Sequence, residues 1–190
     1  MRSELTTAAT ACLLSLGWLV SAGEVVERIL AVVDTRPVLL SETVVLESVR
    51  GVDRASALEA LVDERLMYAE ASRLPQSAVS AEEEDKALAS LVALAGGRAQ
   101  GLAEEDLRAL ARRETAILKY VHFRFLPQIR VEEEAVRKAY DAEFGTVAKA
   151  PGFEDAAPAI RQRLVDRELD QRIESWVKEL RAGATVRYNP

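Results

Sequence analysis

Across most of the chain apolar residues recur three and four positions apart, the period of an amphipathic helix, and only near the two ends does the pattern change. Residues 24–40 open on a β-branched run, with Val25, Val26, Ile29, Leu30, Val32 and Val33. Turn chemistry follows at Asp34-Thr35-Arg36-Pro37, and Val38-Leu39-Leu40 resumes the apolar run. This predicts a hairpin. Pro37 has no amide to donate, so the returning strand belongs at a sheet edge or is short.

Helices then follow one another. Ser41 is placed to cap a short one to about Arg50, and Asp53 a second carrying Leu58, Leu61, Val62, Leu66 and Ala69, ended by Pro75. Ser80 with Glu83 three residues on is a capping box that opens a third through Leu88, Leu91, Val92 and Ala95, closed by Gly96-Gly97. A fourth spans about residues 103–126, with Leu107, Leu110, Ala111, Ile117, Leu118, Val121 and Phe125 as its stripe, Glu114 interrupting it and Pro127 stopping it. A fifth covers about residues 132–144, with Val136, Ala139 and Tyr140. After a connector at residues 145–152, the last helix spans about 153–181, with Ile160, Leu164, Leu169, Ile173, Trp176, Val177 and Leu180 on one side. Pro158 is expected to mark the start of its regular part, and Gly183 to take a left-handed turn after it. Residues 184–188 read as a terminal strand. A lone strand cannot satisfy its own backbone, so it is expected to pair with the N-terminal hairpin.

The fold class expected is therefore mainly α: a multi-helix module with a small β element pairing the N-terminal hairpin and the C-terminal strand. Residues 23–190 are expected to form one domain, in which residues 23–144 join the closing helix and strand at 153–188.

Before residue 23 the chain reads differently. Arg2 precedes an apolar or small-residue stretch holding Leu13, Leu14, Leu16, Trp18, Leu19 and Val20, and Val20-Ser21-Ala22 suits a signal-peptidase cut between Ala22 and Gly23. Residues 1–22 are expected to be a cleavable signal peptide, the run being shorter than the roughly 20 residues of a spanning helix. Cys12, the chain's only cysteine, lies inside it and too early for a lipoprotein signal, so the mature chain carries no disulfide. The expected location is periplasmic, with no stable membrane span after cleavage.

The net charge of −6 and the lack of any long basic block argue against a nucleic-acid partner, and none is expected. The acidic clusters Glu82-Glu83-Glu84, Glu104-Glu105-Asp106 and Glu132-Glu133-Glu134 each open a predicted helix, where carboxylates complement the exposed amides. They are not read as a metal or acid–base site. His122, the single histidine, lacks a nucleophile elbow or further ligands and reads as a polar residue on a helix flank. The run Gly96 to Gly101 lacks the Lys-Ser/Thr of a phosphate loop and follows a helix. No catalytic, metal or cofactor site is expected. Met67, Tyr68, Tyr120 and Phe123 lie partly off the main stripes; either a helix packed on two sides buries them, or they line an apolar groove for polypeptide segments.

The segments Ile29-Leu30-Ala31-Val32-Val33-Asp34 and Val38-Leu39-Leu40-Ser41-Glu42, the helix Ala57 to Leu66, and the closing run Ile160 to Leu164, Trp176 to Arg181 and Thr185 to Tyr188 together resemble the SurA-type periplasmic chaperones. The resemblance covers most of the mature chain and is to the N-terminal chaperone module. Members that isomerise prolyl bonds insert a parvulin domain before the closing helix, where this chain has only the connector at 145–152. The resemblance implies an ATP-independent holdase, not an enzyme, that binds unfolded exported polypeptides, outer-membrane β-barrel precursors above all. Two other readings stand beside it: a parvulin-family prolyl isomerase, and an assembly factor with one dedicated partner.

Overall fold

A computed structural model describes residues 27–147 and 149–189. The first strand, β1 (Ile29–Val33), turns at Asp34-Thr35 into β2 (Arg36–Leu39). Asp34 sits at φ 55°, a left-handed conformation that a short polar side chain tolerates. Val25 and Val26, the front of the expected hairpin, lie outside the described residues. Pro37 lies within β2, opposite Val32, and β2 is an edge of the sheet, as its missing donor requires.

Helix α1 (Leu40–Arg50) starts two residues earlier than a cap at Ser41 would place it, and its N-cap is Leu39. The Glu42 carboxylate reaches back to accept the Leu39 amide at 3.1 Å, so a longer side chain inside the first turn does the capping. Helix α2 (Arg54–Ala71) is capped as expected, Asp53 accepting the Ser56 amide at 3.0 Å. A 3₁₀ turn at Pro75–Ser77 leads to α3 (Ala81–Ala95), where Ser80 and Glu83 exchange both capping-box bonds, at 2.8 and 3.2 Å. A second 3₁₀ turn, Gly96–Ala99, precedes α4 (Glu104–Arg124), and a third, Leu126–Gln128, follows it where Pro127 denies the helix a further amide. Then come α5 (Glu133–Phe144), α6 (Phe153–Gly183) and the last strand, β3 (Val186–Tyr188).

Two expectations for α6 fail. The helix begins at Phe153, so Pro158 stands in its second turn and withholds the bond due to the carbonyl of Glu154, an exposed residue. At the other end Gly183 belongs to the helix, and Ala184 leaves it extended at φ −106° instead of through a left-handed turn. A straight exit lets Ala184 and Val186 pack on the main core while β3 runs back along β1.

The sheet order is β2-β1-β3, all antiparallel, with Ala31 opposite Tyr188 and Val33 opposite Val186. Backbone bonds clamp β3 at both ends: Asp34 donates to Thr185 O at 2.8 Å, and Asn189 donates to Leu30 O at 2.8 Å. The Asp34 carboxylate also accepts the Thr185 amide at 2.9 Å. The expected pairing of the N-terminal hairpin with the C-terminal strand is what is found.

Apolar packing falls into three clusters. The main one joins β1 and β2 to α1, α2, α3 and the start of α4, with Leu46, Leu61, Val62 and Leu110 almost wholly enclosed. A second gathers Ala71, Tyr120, Val121 and Trp176 from α2, α4 and α6. The third is formed within the α5–α6 hairpin around Val136, Ala157 and Ile160, where Tyr140 meets Phe153 edge-on at 5.5 Å. With 31 residues α6 extends for about 46 Å at 1.5 Å per residue, long enough to belong to the second and third clusters at once. No described helix is long and apolar enough to cross a membrane.

Candidate functional site

A groove of about 630 Å³ lies where α4 ends against the C-terminal half of α6. Its construction follows from the chain stop at Pro127. Helix α4 gives out at Arg124, the backbone turns through Leu126–Gln128, and Phe125 is folded back toward α6. There Phe125 and Trp176 lie 5.5 Å apart at 60°, and Trp176 stacks on Tyr120 at 5.0 Å and 15°. Such offset ring pairs add about 0.5–1.5 kcal/mol beyond their buried area. The wall is thus aromatic, while Arg124, Gln128, Gln171, Ser175 and Glu179 bring polar tips to the mouth. Arg172 is tied to Glu168 one turn away at 2.9 Å. An apolar wall with a mixed polar rim suits a polypeptide segment, whose backbone needs hydrogen-bond partners while its side chains leave water.

A second groove, of about 360 Å³, runs between α3 and α4 over the end of α1. Leu91, Leu94, Ala111 and Leu118 line it, and the ion pair of Arg50 with Glu114, at 2.7 Å, closes one side. Leu118, which its spacing places on the apolar stripe of α4, is 54% exposed in this groove, with Leu94 at 71%; Val92, on the stripe of α3, is exposed outside it. The stripe of α4 is narrower than its periodicity suggests because α2 and α3 cover only two of its sides.

Of the four residues singled out from the sequence, two come together and two do not. Tyr120 is buried in the aromatic wall, and Met67 packs beside it from α2. Tyr68 turns into a separate groove next to Ser72 and Arg112, and Phe123 stands on the outer face of α4, 54% exposed. Phe125 and Trp176 complete the wall; both had been assigned to helix stripes, and only the turn at Pro127 brings them together.

Charged groups hold the helices in place. Lys119 of α4 donates to both oxygens of Glu83, at 2.8 and 2.9 Å, and to the carbonyl of Ala78. The Lys119 bond, with the Ser80 amide behind it, brings the Glu83 carboxyl down to about 2. Glu84, on the same turn, is enclosed and accepts Arg112 and Arg108, at 2.5 and 3.3 Å; the Arg112 bond first holds its carboxyl below the ordinary range. Of the three acidic clusters, the one at 82–84 therefore ties α3 to α4 as well as opening a helix. The clusters at 104–106 and 132–134 stay at helix starts, and His122 is exposed on α4. Among the described residues no group of three or more His, Cys, Asp or Glu is placed to hold a metal ion.

One cluster escaped the sequence altogether. Glu64, in an Asp-Glu-Arg run that reads as a solvated face, is 4% exposed, wedged between α2 and α4. Its Oε1 accepts Arg113 Nε and lies 3.7 Å from Arg65 Nη1, while Oε2 has no partner. Arg65 also donates to Glu42 of α1, and Arg113 stands 3.6 Å from the same carboxylate. Burial pushes the Glu64 carboxyl up, against the pull of Arg113.

A search of protein-family models and of curated proteins finds no match to this chain.

Proposed function

We propose that the chain is an ATP-independent holdase of the SurA type that binds unfolded exported polypeptides, outer-membrane β-barrel precursors in particular, in the periplasm. The observation that carries the reading is the groove lined by Tyr120, Phe125 and Trp176, where a stacked aromatic cluster, mostly enclosed, backs a concavity that hydrogen-bonding side chains also line. Reversible cover for an apolar stretch requires a surface of this kind and no reactive group. The exposed leucines of the α3–α4 groove supply a second apolar surface on the same molecule. The order of segments, from the β1–β2 hairpin to the closing helix and strand, is the one that the resemblance to the SurA module rests on. On this reading residues 1–22 direct export and are removed, and the acidic surface keeps the loaded chaperone soluble.

The test is aggregation of a urea-unfolded porin diluted into buffer without nucleotide. Suppression near stoichiometric amounts of the mature protein is expected; none at tenfold excess overturns the proposal. A proline-peptide isomerisation assay separates the enzymatic reading, for which activity above the buffer rate is required.

A further inference from the structure

We propose that the ring of Glu42, Arg65, Glu64 and Arg113 is an acid-sensitive latch between α2 and α4, which opens the aromatic groove when Glu64 takes up a proton. The inference rests on the reading of that groove as the client site and concerns its regulation.

The ring draws one carboxylate from α1, one carboxylate and one guanidinium from α2, and one guanidinium from α4. Two positive charges face two negative ones, so with Glu64 ionised the ring is balanced and Arg113 is held inward. The other charges close by belong to Glu114, which Arg50 engages, and to Asp106, which lines with Glu42 and Arg113 a cavity of about 20 Å³. A space of that size admits a single water and so a path for a proton. Arg65 is further fixed by the Pro37 carbonyl of β2 at 3.4 Å. Arg113 is the less tethered member: among the described residues it is held by Glu42 and Glu64, with no backbone carbonyl beside them.

Glu64 is built to lose its charge. One oxygen is buried with no donor, an arrangement that penalises the ionised form most. Once it is protonated, Arg65 and Arg113 share Glu42 alone, and the extra positive charge favours Arg113 moving toward water. The effect reaches the groove through the same helix pair. Glu64 and Ala71 lie two turns apart along α2, as do Arg113 and Tyr120 along α4, and Ala71 packs on Tyr120 in the cluster that backs the aromatic wall. Loosening α4 at Arg113 therefore frees Tyr120 from Trp176.

The experiment uses the full chain with Trp18→Phe and His122→Gln, leaving Trp176 as the only tryptophan and no histidine to titrate. Acrylamide quenching of Trp176 is followed from pH 7 to 4.5, together with binding of an unfolded porin. A several-fold rise in quenching is expected in one step with a midpoint above 4.5, with porin affinity rising through the same midpoint. Glu64→Gln should show the acid-like level already at pH 7 and no step. Arg113→Met, which keeps the acid and removes the member that moves, should likewise show the acid-like level at pH 7 and no step. A wild-type profile without a step, an unchanged step in Glu64→Gln, or a step that survives in Arg113→Met overturns the latch. If Trp176 steps as described while porin binds at no pH, the latch stands and the client reading of the groove falls.

Discussion

Tyr120 and Trp176 stack face to face, 5.0 Å apart, although one closes α4 and the other lies near the end of α6. The pair joins wall and fold, so truncating it damages both. Tyr120→Ala is expected to cost about 3–5 kcal/mol of stability. Phe123, three residues on and facing water, separates the two effects: Phe123→Ser should change stability by no more than about 0.5 kcal/mol. Chemical denaturation beside porin binding checks this. A loss of binding in the Phe123 variant would extend the client surface to the outer face of α4.

Stability is expected to peak at mildly acidic pH. Glu64 is held above its unfolded value, so its contribution is greatest at low pH and is lost as pH rises through the folded value. Glu83 behaves oppositely: its stabilisation is present above the ordinary 4.5 and disappears as pH falls toward about 2. Thermal melts between pH 7 and 2 should climb and then fall. Glu64→Gln should flatten the upper limb and Glu83→Gln soften the lower one.

The core of α1, α2 and α4 should be sensitive to single truncations. Leu61 and Leu110 have essentially no exposed surface, and replacing either by Ala is expected to cost about 2–5 kcal/mol. Leu94→Ala, at a side chain mostly in water, should be near neutral. Equilibrium unfolding in urea distinguishes them.

Gly51 ends α1 at φ 67°, and its amide bonds to the carbonyl of Glu47 at 2.8 Å. A methyl group there would meet the guanidinium of Arg98, which reaches over from the 3₁₀ turn at Gly96–Ala99. Gly51→Ala should therefore cost about 1 kcal/mol for the backbone conformation alone. Pairing it with Arg98→Ala should leave that backbone part and remove the rest, a double-mutant cycle read by denaturation.

Signals confined to a few neighbouring residues were legible: Asp53 and the Ser80–Glu83 box cap the helices their spacing marks, and Pro37 sits on an edge strand. The pairing of the terminal strand was legible too, because a lone strand must find a partner. What failed depended on tertiary placement. Ser41 looks like a cap, yet the Glu42 chain is long enough to take that part. Leu118 matches the helical period but falls beyond the reach of the helices that cover α4. Glu64 carries no local sign of burial, since Arg113, its partner, is 49 positions away. The aromatic wall was half visible: Tyr120 drew attention, while Phe125 and Trp176 were indistinguishable from core until the turn at Pro127 set them together.

The clamp on β3 bears on how the molecule comes into being. Asn189 reaches the carbonyl of Ile29 across 160 positions, so the strand made first must wait for residues synthesised long after it before its sheet is whole. Until then Ala31 and Val33 offer an open strand edge to any neighbour. A polypeptide released short of Val186 would keep that edge, and would itself need the kind of guardian this molecule is proposed to be.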